Sequence, residues 1–221
     1  MKHFTATLVE PPPVPSRAIS VKTIARLAQY RRVLVRAHAG GRATIYSHEI
    51  ASICDATPAQ VRRDLMAVGT LGHPIHGYDI EALLAQLDRF LDAPRGVRMA
   101  LVGVGNLGRA LLTYFARGRS AIIIEAAFDT DPAKIGCSIS GCGVQPIERI
   151  GDVLAATPID VGVIAVPEDV AQHVADLLVC AGVRSLLNLA PMRLHVPENV
   201  FVEDVDLGIA IERAAFYSRH R

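Results

Sequence analysis

Between Leu101 and Phe115 the chain reads LVGVGNLGRALLTYF, and Gly103, Gly105 and Gly108 have the spacing G-x-G-x-x-G. That spacing lets a backbone turn close on a pyrophosphate. Gly103 permits the tight turn, Gly105 lets the phosphates approach the backbone, and Gly108 lets the next helix pack close to the strand. The helix opening near Asn106 then directs its partial positive charge at the same phosphates. The candidate grip is therefore Gly103, Val104, Gly105, Asn106, Leu107 and Gly108. A second apolar strand, AIIIEAAFD, ends at Asp129, 21 residues past Gly108. A carboxylate about 20 residues on binds a ribose 2′-hydroxyl. It also repels a 2′-phosphate, which favours NAD(H), as NADH or NAD⁺, over NADP(H).

These residues need a sheet to hold them. The strand of the grip spans Met99 to Val102, and further βα units follow in IDVGVIAVP, VAQHVADLLVCAG and VRSLLNLAP. Continuous apolar strands of this kind suit a parallel sheet covered on both faces. Val166 and Pro167, and the stretch Asn188 to Pro191, fall just past strand ends, where ligands of open α/β sheets bind. His173 has no second His or Cys at metal spacing, and no G-x-S-x-G or H-E-x-x-H occurs. No catalytic or metal-ligating set is assigned.

The front of the chain has another character. Residues 16–80 carry nine Lys/Arg against four Asp/Glu, whereas 81–221 carry thirteen against seventeen. A basic front and an acidic back imply two modules, the first with an anionic partner. In VKTIARLAQYRRVLVRAHAG, Ile24, Leu27, Val33 and Leu34 recur at helical spacing, and Gly40-Gly41 stops the helix. Ser47 stands as the N-cap of a short helix. Thr57 caps a third helix that has Pro58 at its first position. Glycines and Pro74 then punctuate a segment ending in Tyr78-Asp79-Ile80, expected as two short strands joined by a tight loop. Helix, short helix, turn, basic helix and β wing make a winged helix-turn-helix, whose third helix fits the major groove. Gln60 offers bidentate pairing to a base edge, and Arg62 and Arg63 offer contacts to guanine or phosphate. Ser47 and Tyr78 complete the candidate DNA-binding set.

Apolar residues make up 51% of the 221 and charged residues 20%, an ordinary balance for a globular protein. MKHFTATLVEPPPVPSR lacks the features of a signal peptide and reads as a proline-stiffened tail. Cys54, Cys137, Cys142 and Cys180 are then read as reduced thiols, and the expected location is cytoplasmic. The expected order is a disordered tail over 1–17, a winged-helix domain over 18–80, and a connector helix or linker over 81–95. A Rossmann-like dinucleotide-binding domain over 96–205 and a C-terminal helix over 206–221 follow. No substrate domain fits beside these. The cofactor is read as a signal, not a reagent. Two rivals stand beside this reading: a nucleotide-binding relative that has lost DNA recognition, and an NAD-dependent oxidoreductase subunit.

The two modules in this order resemble the Rex family, redox-sensing transcriptional repressors of bacteria. The likeness runs from about Ile19 to the C-terminus. It is carried by RLAQYRR (Arg26 to Arg32), PAQVRRDL (Pro58 to Leu65), GNLGRALLTY and FDTDPAKIG. IAVPEDVAQHVADLL, NLAP and the late VD pair extend it. The resemblance implies a homodimer whose C-terminal helix swaps onto the partner. It also implies an inverted-repeat operator that is released when NADH binds. By position, Arg32, Tyr114 and Asp206 match residues that exchange partners between the DNA-bound and NADH-bound states. Three departures stand out. The wing reads PIHGY where the family has R-G-x-G-Y, Val68 replaces an aromatic residue, and Ser20 replaces a proline near the first helix.

Overall fold

The computed structural model of the 221-residue chain describes residues 19–70, 77–91, 96–116 and 122–219. The tail expected over 1–17 lies outside them, as do Pro74, Ile75 and His76 of the wing. Two compact units divide the chain, Met1–Asp92 and Ala93–Arg221.

The first unit begins with α1 (Val21–Ala39), and Ser20 explains its own departure from proline. Its hydroxyl caps the helix by accepting from the Thr23 N–H at 3.2 Å. Leu27, Tyr30, Val33 and Leu34 form the buried stripe of α1. Ile24, expected on that stripe, is exposed, and Tyr30 takes the buried place. A short strand β1 (Thr44–Ile45) precedes α2 (Ser47–Ile53) and α3 (Pro58–Ala67). Thr57 caps α3, accepting from the Gln60 N–H at 3.1 Å. Strand β2 (Tyr78–Asp79) pairs antiparallel with β1, so its partner among the described residues comes from before α2. Helix α4 (Ile80–Leu91) is the helix expected as a connector over 81–95. It is instead part of this unit, burying Ile80, Leu83 and Leu87 in the core of α1 and α3. An ion pair between Arg31 of α1 and Asp88 of α4 (2.6 Å) and a hydrogen bond from Gln86 to the Val68 carbonyl (2.9 Å) hold it there. Residues 92–95 of that span lie outside the description.

The second unit is a seven-stranded sheet. Its elements are β3 (Val97–Val102), α5 (Asn106–Ala116), β4 (Ile122–Asp129), β5 (Ser138–Ile139), β6 (Cys142–Pro146) and α6 (Ile150–Ala156). After them come β7 (Val161–Ile164), α7 (Glu168–Cys180), β8 (Ser185–Asn188), β9 (Phe201–Asp204) and α8 (Leu207–Arg219). The strand order is β5-β6-β4-β3-β7-β8-β9, parallel except for the β5–β6 hairpin. Without β5 this is the doubly wound dinucleotide order, which reverses between β3 and β7. Alternate residues of β3 feed opposite faces of the sheet. Met99 and Leu101 pack with Leu112 of α5, while Ala100 and Val102 pack with Val174 and Leu178 of α7. Helices therefore cover both faces, which is why the strands are apolar throughout.

Candidate functional site

The reversal of strand order brings two loops together. Gly103 has φ +96°, and its N–H donates to the Phe128 carbonyl at 2.8 Å. A Cβ on Gly103 would lie 2.4 Å from the Ala165 carbonyl oxygen and 2.8 Å from Val166 Cγ1. The turn thus presses on the loop that carries Val166 and Pro167. A Cβ on Gly108 would lie 2.0 Å from the Gly103 carbonyl oxygen, so only glycine lets α5 come this close. At Gly105 a Cβ would meet nothing within 4 Å. Folding does not require glycine there, but a phosphate approaching the backbone does. Asn106 and Leu107 open α5 on the solvent side. All nine expected cofactor residues belong to this one unit, and the turn fits a dinucleotide.

Asp129, at the end of β4, is tied into the glycine turn. It is 8% exposed, and both carboxylate oxygens have partners within the chain. Oδ1 accepts from the Asp131 N–H at 2.9 Å. Oδ2 accepts from the Val104 N–H at 2.7 Å and from Lys134 Nζ at 3.1 Å. Burial works against its charge. The two backbone donors and Lys134 outweigh burial, so its pKa lies below the ordinary carboxylate value. Asp129 therefore anchors the glycine turn to β4. Asp131 and Lys134, both in FDTDPAKIG, complete this corner and were missed by a reading that stopped at the first acidic residue. Asn188 is also fully buried. Its amide holds the loop beyond β8, donating to the Met192 carbonyl (2.7 Å) and to Asp204 (2.8 Å).

In the first unit, α3 exposes Arg62 and Arg63. Tyr46, not Ser47, is the N-cap of α2, and the Glu49 carboxylate accepts from its N–H at 2.7 Å. Ser47 is the first helical residue, and its hydroxyl accepts from Arg62 at 3.1 Å. Two expected DNA contacts are thereby brought together. Gln60 donates to Asp64 at 2.7 Å and accepts from Arg63 at 3.3 Å. Tyr78, expected as a wing contact, is 8% exposed and belongs to the core. Burial pushes its pKa up, while the charge of Arg62 works against that shift.

Beneath α3, Asp64 is 3% exposed. It receives Arg26 through two nitrogens (2.6 and 2.8 Å), the Tyr30 hydroxyl (3.0 Å) and the Gln60 amide. Burial opposes its charge, but these donors win and hold its pKa below the usual range. Tyr30 moves the other way, well above the ordinary phenol value, through burial first and its bond to Asp64 second. Sequence reasoning did not assign this cluster. Its signal is a single acid in a basic helix, matched by Arg26 and Tyr30 one helical turn apart.

Of the residues expected to exchange partners, Arg32 is exposed on α1 and Tyr114 is 72% exposed on α5. Asp206 is half-buried and caps α8, accepting from the Ile209 N–H at 3.1 Å. Helix α8 itself has no buried residue.

Residues 18–65 match a family model described as putative DNA-binding protein N-terminus, and residues 95–192 match one described as CoA binding domain. The class is therefore a DNA-binding head followed by a nucleotide-binding α/β unit. The redox-sensing transcriptional repressor Rex of Desulfitobacterium hafniense is 40% identical over 194 residues, covering 88% of this chain and 92% of the relative. The Rex of Streptomyces griseus is 37% identical over 210 residues, covering 95% and 83%. The crystal structure of RSP in complex with beta-NAD+ and operator DNA matches with TM-score 0.85 and 30% identity over 93% of this chain and 94% of that one. RSP in complex with beta-NADH matches with TM-score 0.82 and 29% identity, over 93% and 96%. The chain belongs to the Rex family of redox-sensing transcriptional repressors.

Proposed function

We propose that the chain is a redox-sensing repressor that binds an inverted-repeat operator as a homodimer and leaves it when NADH binds. The observation that carries this reading is a pair of features in one Rex-family chain. Exposed Arg62 and Arg63 lie on a capped recognition helix, and a glycine turn leaves Gly105 open at the strand reversal. Family relatives are named repressors, and RSP has been crystallised both with NAD⁺ plus operator DNA and with NADH.

NAD(H) brings a signal: its two redox forms differ in the charge and planarity of the nicotinamide ring. The residues of this chain do the remainder. Backbone of the turn, fixed by Asp129, receives the pyrophosphate, and Val166 and Pro167 border it. Ser47, Gln60, Arg62 and Arg63 face the operator, with Tyr78 supporting them from the core. Arg32, Tyr114 and Asp206 carry the change between states. A ligand shifts such an equilibrium only by binding the two states differently, and a coupling of about 1–3 kcal/mol suffices for 5–150-fold.

The exposed Leu207, Ile209, Ile211 and Phe216 of α8 support the dimer. A helix this short does not hold itself in water and needs a packing surface. Cytoplasm, where both NADH and operator DNA are found, is the location this reading requires. No helix among the described residues is long and apolar enough to cross a membrane.

The test is selection from random genomic fragments with and without NADH, with NAD⁺ and coenzyme A as comparison ligands, for the wild type and Gly105→Val. The wild type should enrich an inverted repeat and release it with NADH. Gly105→Val should keep the DNA and ignore NADH. Enrichment of nothing would leave the nucleotide-binding relative, and NADH turnover with a substrate would leave the oxidoreductase.

A further inference from the structure

We propose that Gln60 reads no base of its own and instead positions Arg63, so that α3 presents two pre-aimed guanidinium groups to the operator. This rests on the DNA-binding reading above. Thr57-Pro58-Ala59-Gln60 has the spacing of a capping box, in which the glutamine side chain would turn back to the N-cap N–H. Gln60 does not do so. Its amide nitrogen donates to Asp64 Oδ1 at 2.7 Å, and its amide oxygen accepts from Arg63 at 3.3 Å. Bidentate pairing with adenine uses an amide's oxygen and nitrogen together. With one amide N–H on a buried carboxylate and one oxygen lone pair on Arg63, Gln60 is held at both ends within α3.

Asp64 already has its charge matched by Arg26. The link through neutral Gln60 therefore fixes Arg63 in place without neutralising it, and the guanidinium charge remains for guanine or phosphate. Arg62 is treated alike, anchored by the uncharged Ser47 hydroxyl at 3.1 Å. Each arginine on the exposed face has one neutral tether. Pre-ordering a long side chain in this way removes part of the entropy lost on binding.

The experiment is a double-mutant cycle with Gln60→Ala, Arg63→Ala and the double variant, with Gln60→Met as a second variant that keeps the side-chain stem. Binding is measured on the wild type's selected operator, on half-sites changed at each base pair, and across a salt series. Arg63→Ala should weaken binding by about tenfold or more, the scale of one good base contact. Gln60→Ala and Gln60→Met should show a smaller loss with the same signature as Arg63→Ala, at the same base pair or in the same salt slope. The double variant should bind no more weakly than Arg63→Ala. Loss of preference at a different base pair, or multiplying losses, would overturn the inference and leave DNA binding intact. A wild type that selects no DNA would overturn both.

Discussion

Each unit is organised around a buried aspartate, and the two are satisfied in opposite ways. Asp64 is surrounded by side chains, from Arg26, Tyr30 and Gln60. Asp129 is surrounded largely by backbone, from Val104 and Asp131, with Lys134 added. A side-chain network sets where other side chains point, and in the first unit those include the groups on the recognition helix. A carboxylate that grips N–H groups sets the course of the backbone, and in the second unit that backbone is the glycine turn. One aspartate shapes the exposed face of α3; the other shapes the glycine turn.

Asp64 is the place to break the comparison hardest. Asp64→Ala leaves the half-buried Arg26 guanidinium and the buried Tyr30 hydroxyl without their shared acceptor, and a hydrogen bond to a charged group is worth about 2 kcal/mol. Chemical denaturation of the first unit should show this loss, with NADH binding by the second unit retained. Its pH dependence follows from the directions of the two shifts. Asp64 has a depressed pKa, so its contribution is complete above the unfolded value of about 3.9 and is lost as pH falls through the folded one. Tyr30 has a raised pKa, so its contribution is complete below about pH 10 and is lost as pH climbs toward the folded value. Asp64→Asn should flatten the acid limb of a melting-temperature profile. An unchanged limb would mean that another group controls it.

Asp129→Asn should do less to stability and more to the ligand. The amide offers one acceptor oxygen where the carboxylate offers two, leaving at least one donor among Val104 N–H, Asp131 N–H and Lys134 unmatched. Hydrogen bonds to charged groups are worth about 2 kcal/mol. The variant should keep operator binding and lose NADH affinity by at least tenfold, read by titration of nucleotide fluorescence. Equal loss of DNA binding would show that Asp129 serves the whole fold and not the turn.

How far these features were legible depends on how far apart their causes lie in the chain. The glycine spacing, the Thr57 cap, the start of α5 at Asn106 and the apolar strands are decided by neighbours within one element, and they read directly. The hydrogen bonds of Gln60 did not read from the helix alone, because its partner Asp64 is held by Arg26, 38 residues earlier. Periodicity assigns a face to a helix but not the hydrogen bonds beneath it. Tyr78, placed in the DNA-binding set, ends a glycine-rich segment whose pairing with β1 draws it into the core. Strand β9 was overlooked because Phe201–Asp204 is a short edge with an acidic end, carrying little of the apolar run that marks the inner strands. Spacing brings Asp129 to the end of β4, but its burial and its bond to Val104 are properties of the folded turn.

A third aspartate sharpens the comparison by its smaller effect. Asp206 is only half-buried, and it does for α8 what Thr57 does for α3, accepting an N–H of the first turn. Asp206→Ala therefore removes a cap worth about 1 kcal/mol along with a charge, and a loss of NADH response in that variant has two causes. Asp206→Asn separates them, because asparagine caps as well as aspartate. If the charge at 206 is the partner that Arg32 or Tyr114 exchanges, Asp206→Asn should bind the operator yet release it poorly with NADH. Helix content by circular dichroism should stay at the wild-type level. If instead the cap is what matters, Asp206→Asn should respond to NADH as the wild type does and only Asp206→Ala should fail. Asp206 would then be a structural stop for α8, and the exchange would have to be carried by another acidic group.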